Sequence, residues 1–322
     1  MLKKIAVQQL QIGMYVHLPL SWYEHTFLKN NFAVTTEHQL VKIRNSGLQE
    51  VTIDTEKGID LADATASPPL TSTAPVEKQI LLDELMAAIQ DKHLPAPEKA
   101  ALIHERAIDM MYRLLETPSA DNIKTVKKGI TEVVNLILSD DATTHQLLLI
   151  TSHDFYTYTH SVSVGVLGIA LSKILFKKSA GHNMNELGAG FFLHDLGKIQ
   201  IDQAILNKPG RLTDEEMNEV RRHPNLGFKI LNDTKQLTEE CKLIVLQHHE
   251  RQDGNGYPKR LKGDKIHIYG RICMIADVYD ALTSDRPYRK KMTPFAALDL
   301  MRNEMLEHFQ RDLFEKFVQI FR

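Results

Sequence analysis

The sequence predicts a mainly α-helical protein with a small α+β module at its N-terminus, and three observations predict it. Short alternating runs, Met14-Tyr15-Val16-His17-Leu18 and Val51-Thr52-Ile53-Asp54, are broken by Gly13, Pro19, Asn30-Asn31 and Gly47 in the first 60 residues, which reads as a small, partly β unit. The stretch ADATASPPLTSTAP, residues 62–75, is rich in Ala, Ser, Thr and Pro with a single charge, the composition of an extended linker. From Val76 onward the apolar residues recur at helical spacing to the C-terminus.

Taken in order, the first helices are marked by Ile80, Leu81, Leu82, Leu85 and Met86, then Ala107, Met110, Met111, Leu114 and Leu115, then Ile130, Val133, Val134 and Leu136 to Leu138. Pro95, Pro97 and Pro118 separate them, and glycine breaks near 181, 210, 254–256 and 263 punctuate the later ones. The expected organisation is a module at 1–60, a linker at 61–78, a helical connector at 79–145 and a C-terminal helical domain at 146–322. Trp22 is expected in the core or an interface of the N-terminal module, and Met110-Met111 as packing. The stripes over 76–140 suit a homodimer interface as well as packing on the C-terminal bundle. No internal repeat is present.

Composition narrows the function. With 39 Lys+Arg against 41 Asp+Glu, the chain has no basic field of the kind that drives binding to duplex nucleic acid, so an anionic ligand needs a local site. The two cysteines, Cys241 and Cys273, sit in apolar helical patterns and form no disulfide framework. The opening MLKKIAVQQLQIGMYV is interrupted by Gln8, Gln9 and Gln11, so no secretory leader is expected and the chain is expected in the cytoplasm. The longest apolar tract, Ser161 to Phe176, contains Ser163, Gly165, Ser172 and Lys173 and falls short of the roughly 20 residues of a membrane span. It reads as a buried helix, without membrane insertion.

Chemistry concentrates in the second half. His160, His194-Asp195, His223, His248-His249 and Asp277 combine imidazole and carboxylate, a donor set suited to divalent Fe, Mn, Ni or Zn. A lone buried histidine is more often hydrogen-bonded than ligating, but seven titratable groups in apolar helical stretches cannot be buried without partners. One metal rarely needs seven ligands. Two metals sharing a carboxylate would use them all, and Asp195 has two oxygens with which to bridge. Lys198 lies one helical turn after His194, in reach of a phosphate oxygen beside the metals. Asp280, three residues after Asp277, suits either orienting a ligand or contacting substrate.

The run His194-Asp195-Leu196-Gly197-Lys198, then HHERQDGNGYP from His248 to Pro258, then DVYDALTSDRPYR from Asp277 to Arg289, resembles the signatures of the HD-GYP family over about residues 147 to 310. The resemblance implies an all-α HD-type bundle that hydrolyses cyclic di-GMP with two divalent ions, Fe, Mn or Ni. By position it assigns His160, His194, Asp195, His223, His248, His249 and Asp277 as ligands. It places Lys198, Tyr257, Asp280, Arg286 and Arg289 around the substrate, with Gly254 and Gly256 permitting the tight loop that presents Tyr257. Where some relatives bind a third ion through a glutamate before the first histidine, this chain has Tyr156, which favours two. Gly13 to Val16, Ser21-Trp22, Phe27, Phe32 and Val51 to Asp54 resemble an N-terminal domain of undefined function often fused to HD-GYP domains, which implies regulation.

The mechanism implied is attack by a metal-activated hydroxide on the phosphodiester, with water's pKa lowered towards ~7. One metal falls to His160, His194, Asp195 and Asp277, and the other to Asp195, His223, His248 and His249; Asp195 and Lys198 are the catalytic pair, and Lys198 with Arg286 stabilises the charge developing on the phosphate. The product is linear pGpG, with GMP after a second round. The alternatives are a 3′,3′ cyclic GMP-AMP phosphodiesterase and a non-hydrolysing cyclic dinucleotide receptor; the second would be favoured by missing ligands, and none is missing.

Overall fold

A computed structural model of the chain describes residues 2–18, 31–34, 37–44, 46, 48–60, 74–150, 157–177, 181–206, 208, 210–285 and 290–321. Tyr156, Trp22, Arg286 and Arg289 lie outside the described residues, as does most of the expected linker. The chain divides into two compact units, Met1–Glu77 and Lys78–Arg322.

The first unit is a four-stranded antiparallel sheet, β1 (Leu2–Ala6), β2 (Tyr15–His17), β3 (Asn31–Ala33) and β4 (Glu50–Asp54), in the order β1-β4-β2-β3, with helix α1 (Glu37–Arg44). Alternation sends Ile5, Val16, Val51 and Ile53 inward, where they meet Leu40 and Ile43 of α1. Arg44 ties the helix back by donating to the carbonyl of Leu10 at 2.9 Å.

The second unit is helical: α2 (Ala74–Gln90), α3 (Ala96–Glu116), α4 (Ala120–Ser139), α5 (Asp141–Leu149), α6 (Thr157–Phe176), α7 (Met184–Leu193), α8 (Gln203–Leu206), α9 (Asp214–Val220), α10 (His223–Asp233), α11 (Glu239–Gln247), α12 (Ile268–Thr283), α13 (Pro294–Glu304) and α14 (Arg311–Gln319). The mainly α fold with a small α+β module is therefore what the chain adopts. One hydrophobic core runs from Leu85 on α2 to Ile320, so the helices between 79 and 145 pack into the same interior as those that follow.

α6 is the axis of that core. It is 20 residues long and, among the described residues, the one helix long and apolar enough by length and composition to cross a membrane; 72% of its most apolar stretch is buried in the protein, as in a core helix. α7 lies close against it because Gly165 and Gly168 leave room for Phe192 and Phe191; a Cβ at Gly165 would sit 2.2 Å from the Phe192 ring.

Helix starts follow from side-chain caps. Ser119, Asn183, Thr213, Thr238 and Thr293 each accept a backbone N–H of the helix they precede. Asp140 caps α5, accepting Thr143 N at 2.9 Å and the Thr143 hydroxyl at 2.7 Å. These bonds to Thr143 hold its carboxyl below the ordinary carboxylate range. A depressed carboxylate stabilises the fold above its unfolded pKa, and the contribution is lost as pH falls through the lowered value. Asp140→Ala is accordingly expected to cost about 1 kcal/mol near neutral pH, read from the denaturant midpoint, with the gap from wild type closing on acidification.

Candidate metal centre

The seven predicted ligands come from three helix ends and two helix interiors, and the structure brings all of them together. α6 carries His160, α12 carries Asp277, α7 ends just before His194-Asp195, α10 starts at His223, and α11 ends just before His248-His249. Helix C-termini suit this purpose because their last carbonyls have no partner within the helix. His194 Nδ1 lies 2.7 Å from Phe191 O, His223 Nδ1 2.8 Å from Val220 O and His248 Nδ1 2.9 Å from Val245 O, each a carbonyl in the last turn of α7, α9 or α11. A carbonyl can only accept, so Nδ1 carries the hydrogen in each ring and the Nε2 lone pair is left facing the centre.

Those lone pairs converge on Asp195, whose side chain is 1% exposed. Its Oδ2 lies 3.4 Å from His194 Nε2 and 3.5 Å from His160 Nε2, while its Oδ1 lies 3.3 Å from His223 Nε2 and 3.8 Å from His248 Nε2. Asp277 joins from α12, with Oδ1 at 3.1 Å from His160 Nε2 and Oδ2 at 3.6 Å from His249 Nδ1. The donor atoms fall into two groups able to hold a metal ion, His160, His194 and Asp277 in one, and Asp195, His223, His248 and His249 in the other, each with its atoms within 4.8 Å of one another.

The electrostatics fit cations. Burial pushes His223 down to about 3, His249 down to about 4 and His248 well below the ordinary range, so these rings are neutral and able to ligate. Burial also opposes the charge on Asp195, but Lys198, His194 and His223 hold its carboxyl well below the ordinary range. His160 is the exception: against the effect of burial, Asp277 and Asp280 push it up to about 9, and a metal at its Nε2 would take the place of a proton. His194 Nε2 and Asp195 Oδ1 are buried without a hydrogen-bond partner, an arrangement whose desolvation cost is recovered by coordinating an ion. The residues present fit divalent metals. Cys241 and Cys273 are free, buried thiols whose pKa burial raises.

Around the ligands, Lys198 sits on the tight helical turn Leu196–Gln200 and its Nζ lies 2.5 Å from Asp195 Oδ2. Asp280 Oδ2 lies 2.6 Å from His160 Nδ1 and 3.3 Å from the Ser284 hydroxyl, the geometry of an orienting partner. Tyr257 stacks on His249, with ring centroids 4.6 Å apart and planes at 26°. Gly254 has φ of +83°, as the loop reading requires, whereas Gly256 is needed for close approach instead: a Cβ there would lie 2.4 Å from Arg251 N. Two contributors escaped the sequence reading. Glu250, fully buried, accepts Lys259 N at 2.7 Å and Leu261 N at 2.8 Å and so folds the loop back; its position directly after the His pair was the available signal. Arg221 places its guanidinium 5.8 Å from the Tyr257 ring centroid, two residues before His223.

The HD domain family matches residues 148–313, which take in every group of this centre. The chain belongs to the HD domain family. Ahead of the HD domain, a family described as a domain of unknown function, DUF3391, matches residues 2–134, spanning the sheet module and much of α2 to α4. A Pseudomonas aeruginosa protein named cyclic di-GMP phosphodiesterase is 37% identical over 99% of this chain and 76% of its own length. A Xanthomonas campestris cyclic di-GMP phosphodiesterase response regulator is 49% identical over 33% of this chain and 28% of its own. A Vibrio cholerae 3′3′-cGAMP-specific phosphodiesterase is 43% identical over 38% of this chain and 24% of its own. Among solved structures, an HDG“Y”P protein from Bdellovibrio bacteriovorus aligns over 99% of both chains with TM-score 0.67 and 17% identity, a likeness of fold.

Proposed function

We propose that the chain is a metal-dependent phosphodiesterase that hydrolyses cyclic di-GMP to linear pGpG. The observation that carries this reading is the meeting of two ligand groups at Asp195, which turns one oxygen to each. Asp195, His160, His194 and Asp277 would hold one divalent ion, and Asp195, His223, His248 and His249 the other. When bound, such ions polarise the phosphodiester and lower the pKa of water. The chain's own residues do the rest. The carbonyls of Phe191, Val220 and Val245, with Asp280 behind His160, fix the imidazoles before any ligand arrives. Lys198 brings a positive charge beside the oxygens that gain charge during attack. Tyr257, its phenol pKa raised by burial, stays protonated and able to donate to a phosphate oxygen.

The full ligand set speaks against a non-hydrolysing receptor. The P. aeruginosa relative, similar over nearly the whole chain, supports cyclic di-GMP, and the V. cholerae relative supports cyclic GMP-AMP as the alternative. In this reading the HD domain at 146–322 is catalytic, the module at 1–60 regulates it through the helices of 79–145, and the buried, unpaired cysteines suit a reducing cytoplasm. The test is anaerobic purification with metal analysis, followed by product chromatography on both dinucleotides. Turnover of cyclic di-GMP to pGpG, abolished by chelation and restored by Mn or Fe, is expected; turnover by metal-free protein, or none of either substrate by metal-loaded protein, would sink the reading.

A further inference from the structure

We propose that Arg221 binds the second, non-reacting phosphate of the cyclic dinucleotide; the assignment rests on the substrate class proposed above. A cyclic dinucleotide carries two phosphodiesters in one ring, and a centre that engages one of them leaves the other, still anionic, in need of a partner nearby. The described cations around the centre are mostly committed. Lys198 is paired with Asp195 at 2.5 Å, Arg222 with Glu219 at 2.8 Å, and Arg251 with Asp253 at 2.5 Å. Arg221 differs: among the described residues its contacts are a 3.3 Å bond to the Asn218 amide oxygen and the face of Tyr257, with no carboxylate.

Its position is set by a stack that starts at a candidate ligand. Tyr257 lies on His249, and Arg221 lies over Tyr257 with its Cζ 5.8 Å from the ring centroid. The ring face and the Asn218 amide oxygen both bear on the side chain, and contact with a π face uses none of the guanidinium's N–H donors, of which, among the described residues, Nη1 alone is engaged, by Asn218. Those donors form a planar fork that matches two phosphate oxygens. Arg221 is exposed, so the charge is open to an incoming anion, and it lies at the end of α9 beside the centre and not within the ligand set. Its backbone N–H closes α9 on Met217 O, a bond that any side chain at this position retains.

The experiment compares cyclic di-GMP with bis(para-nitrophenyl) phosphate, which has a single phosphodiester and no second phosphate, using the full-length metal-loaded protein. Arg221→Ala is expected to raise KM for cyclic di-GMP about tenfold with kcat within about twofold, the mark of lost binding that is equal in ground and transition states. Turnover of bis(para-nitrophenyl) phosphate should be unchanged, and Arg221→Lys should recover part of the KM as a point charge without the fork. If wild-type protein hydrolyses cyclic di-GMP and Arg221→Ala does so with unchanged KM, or loses equally on both substrates, the assignment of Arg221 falls alone. If wild type cleaves bis(para-nitrophenyl) phosphate but no cyclic dinucleotide, the substrate class falls and takes this assignment with it.

Discussion

Asp195→Ala is expected to empty both metal positions and to lower hydrolysis by a factor of about a thousand or more. Among the described residues no other side chain meets both ligand groups so evenly, with Oδ2 near His160 and His194 and Oδ1 near His223 and His248. Alanine would remove the anion that four imidazoles share, leaving Asp277 as the carboxylate of the first ligand group and none in the second. It would also strip Lys198 of the carboxylate 2.5 Å from its Nζ. Asp277→Ala is the informative comparison, because Asp277 belongs to the group with His160 and His194, while the group with His223, His248 and His249 keeps Asp195. Metal content per chain should fall close to zero in Asp195→Ala and by about half in Asp277→Ala, read by elemental analysis after gel filtration. An Asp195→Ala protein that retains two ions per chain would remove the shared carboxylate from the account.

How far the sequence foretold this centre follows from the kind of interaction involved. The seven candidate ligands that the structure brings together were legible because their chemistry resides in side-chain type, and no packing argument explains adjacent His-Asp and His-His pairs in apolar surroundings. The partners that aim those ligands were mostly not legible. Phe191, Val220 and Val245 act through backbone carbonyls, which every residue has, and what selects them is only that a helix ends there. Asp280 could be placed on the face of Asp277 by its spacing, but its contact with His160, 120 positions earlier, is a product of how α6 and α12 pack. Arg221 meets Tyr257 in the loop that Glu250 folds back, a contact between distant positions that no local pattern announces. Strands β2 and β4 were legible by alternation and β1 and β3 were not, and alternation carries no order: the β1-β4-β2-β3 arrangement is decided by pairing across the module. The apolar stripes of 79–145 marked helices without saying what they cover; in the structure they cover the core that also surrounds α6.

Gly197→Ala is expected to destabilise the protein by about 3 kcal/mol and to lose His223 from the centre, although the residue has no side chain and supplies no donor atom to the centre. Gly197 lies two residues after Asp195 on the Leu196–Gln200 turn, and the start of α10 crosses it at backbone contact. A Cβ built there would lie 2.0 Å from His223 O and 2.5 Å from Gly227 N. Both obstacles are main chain, so no rotamer change relieves them, and the turn and α10 must separate by more than an ångström. That separation acts directly on the 3.3 Å approach of His223 Nε2 to Asp195 Oδ1, since the two residues sit on the two segments being pushed apart. Gly227→Ala supplies the control, because a Cβ there would meet its nearest neighbour, Gly197 N, at 3.1 Å, which a small shift accommodates. The denaturant midpoint should therefore fall steeply for Gly197→Ala and slightly for Gly227→Ala. Metal content should fall by about one ion per chain in the first variant alone, from the group that contains His223. A Gly197→Ala protein with wild-type midpoint and full metal content would show that the turn and α10 can move apart without disturbing the centre, and that the HD motif's glycine is there for some reason other than contact.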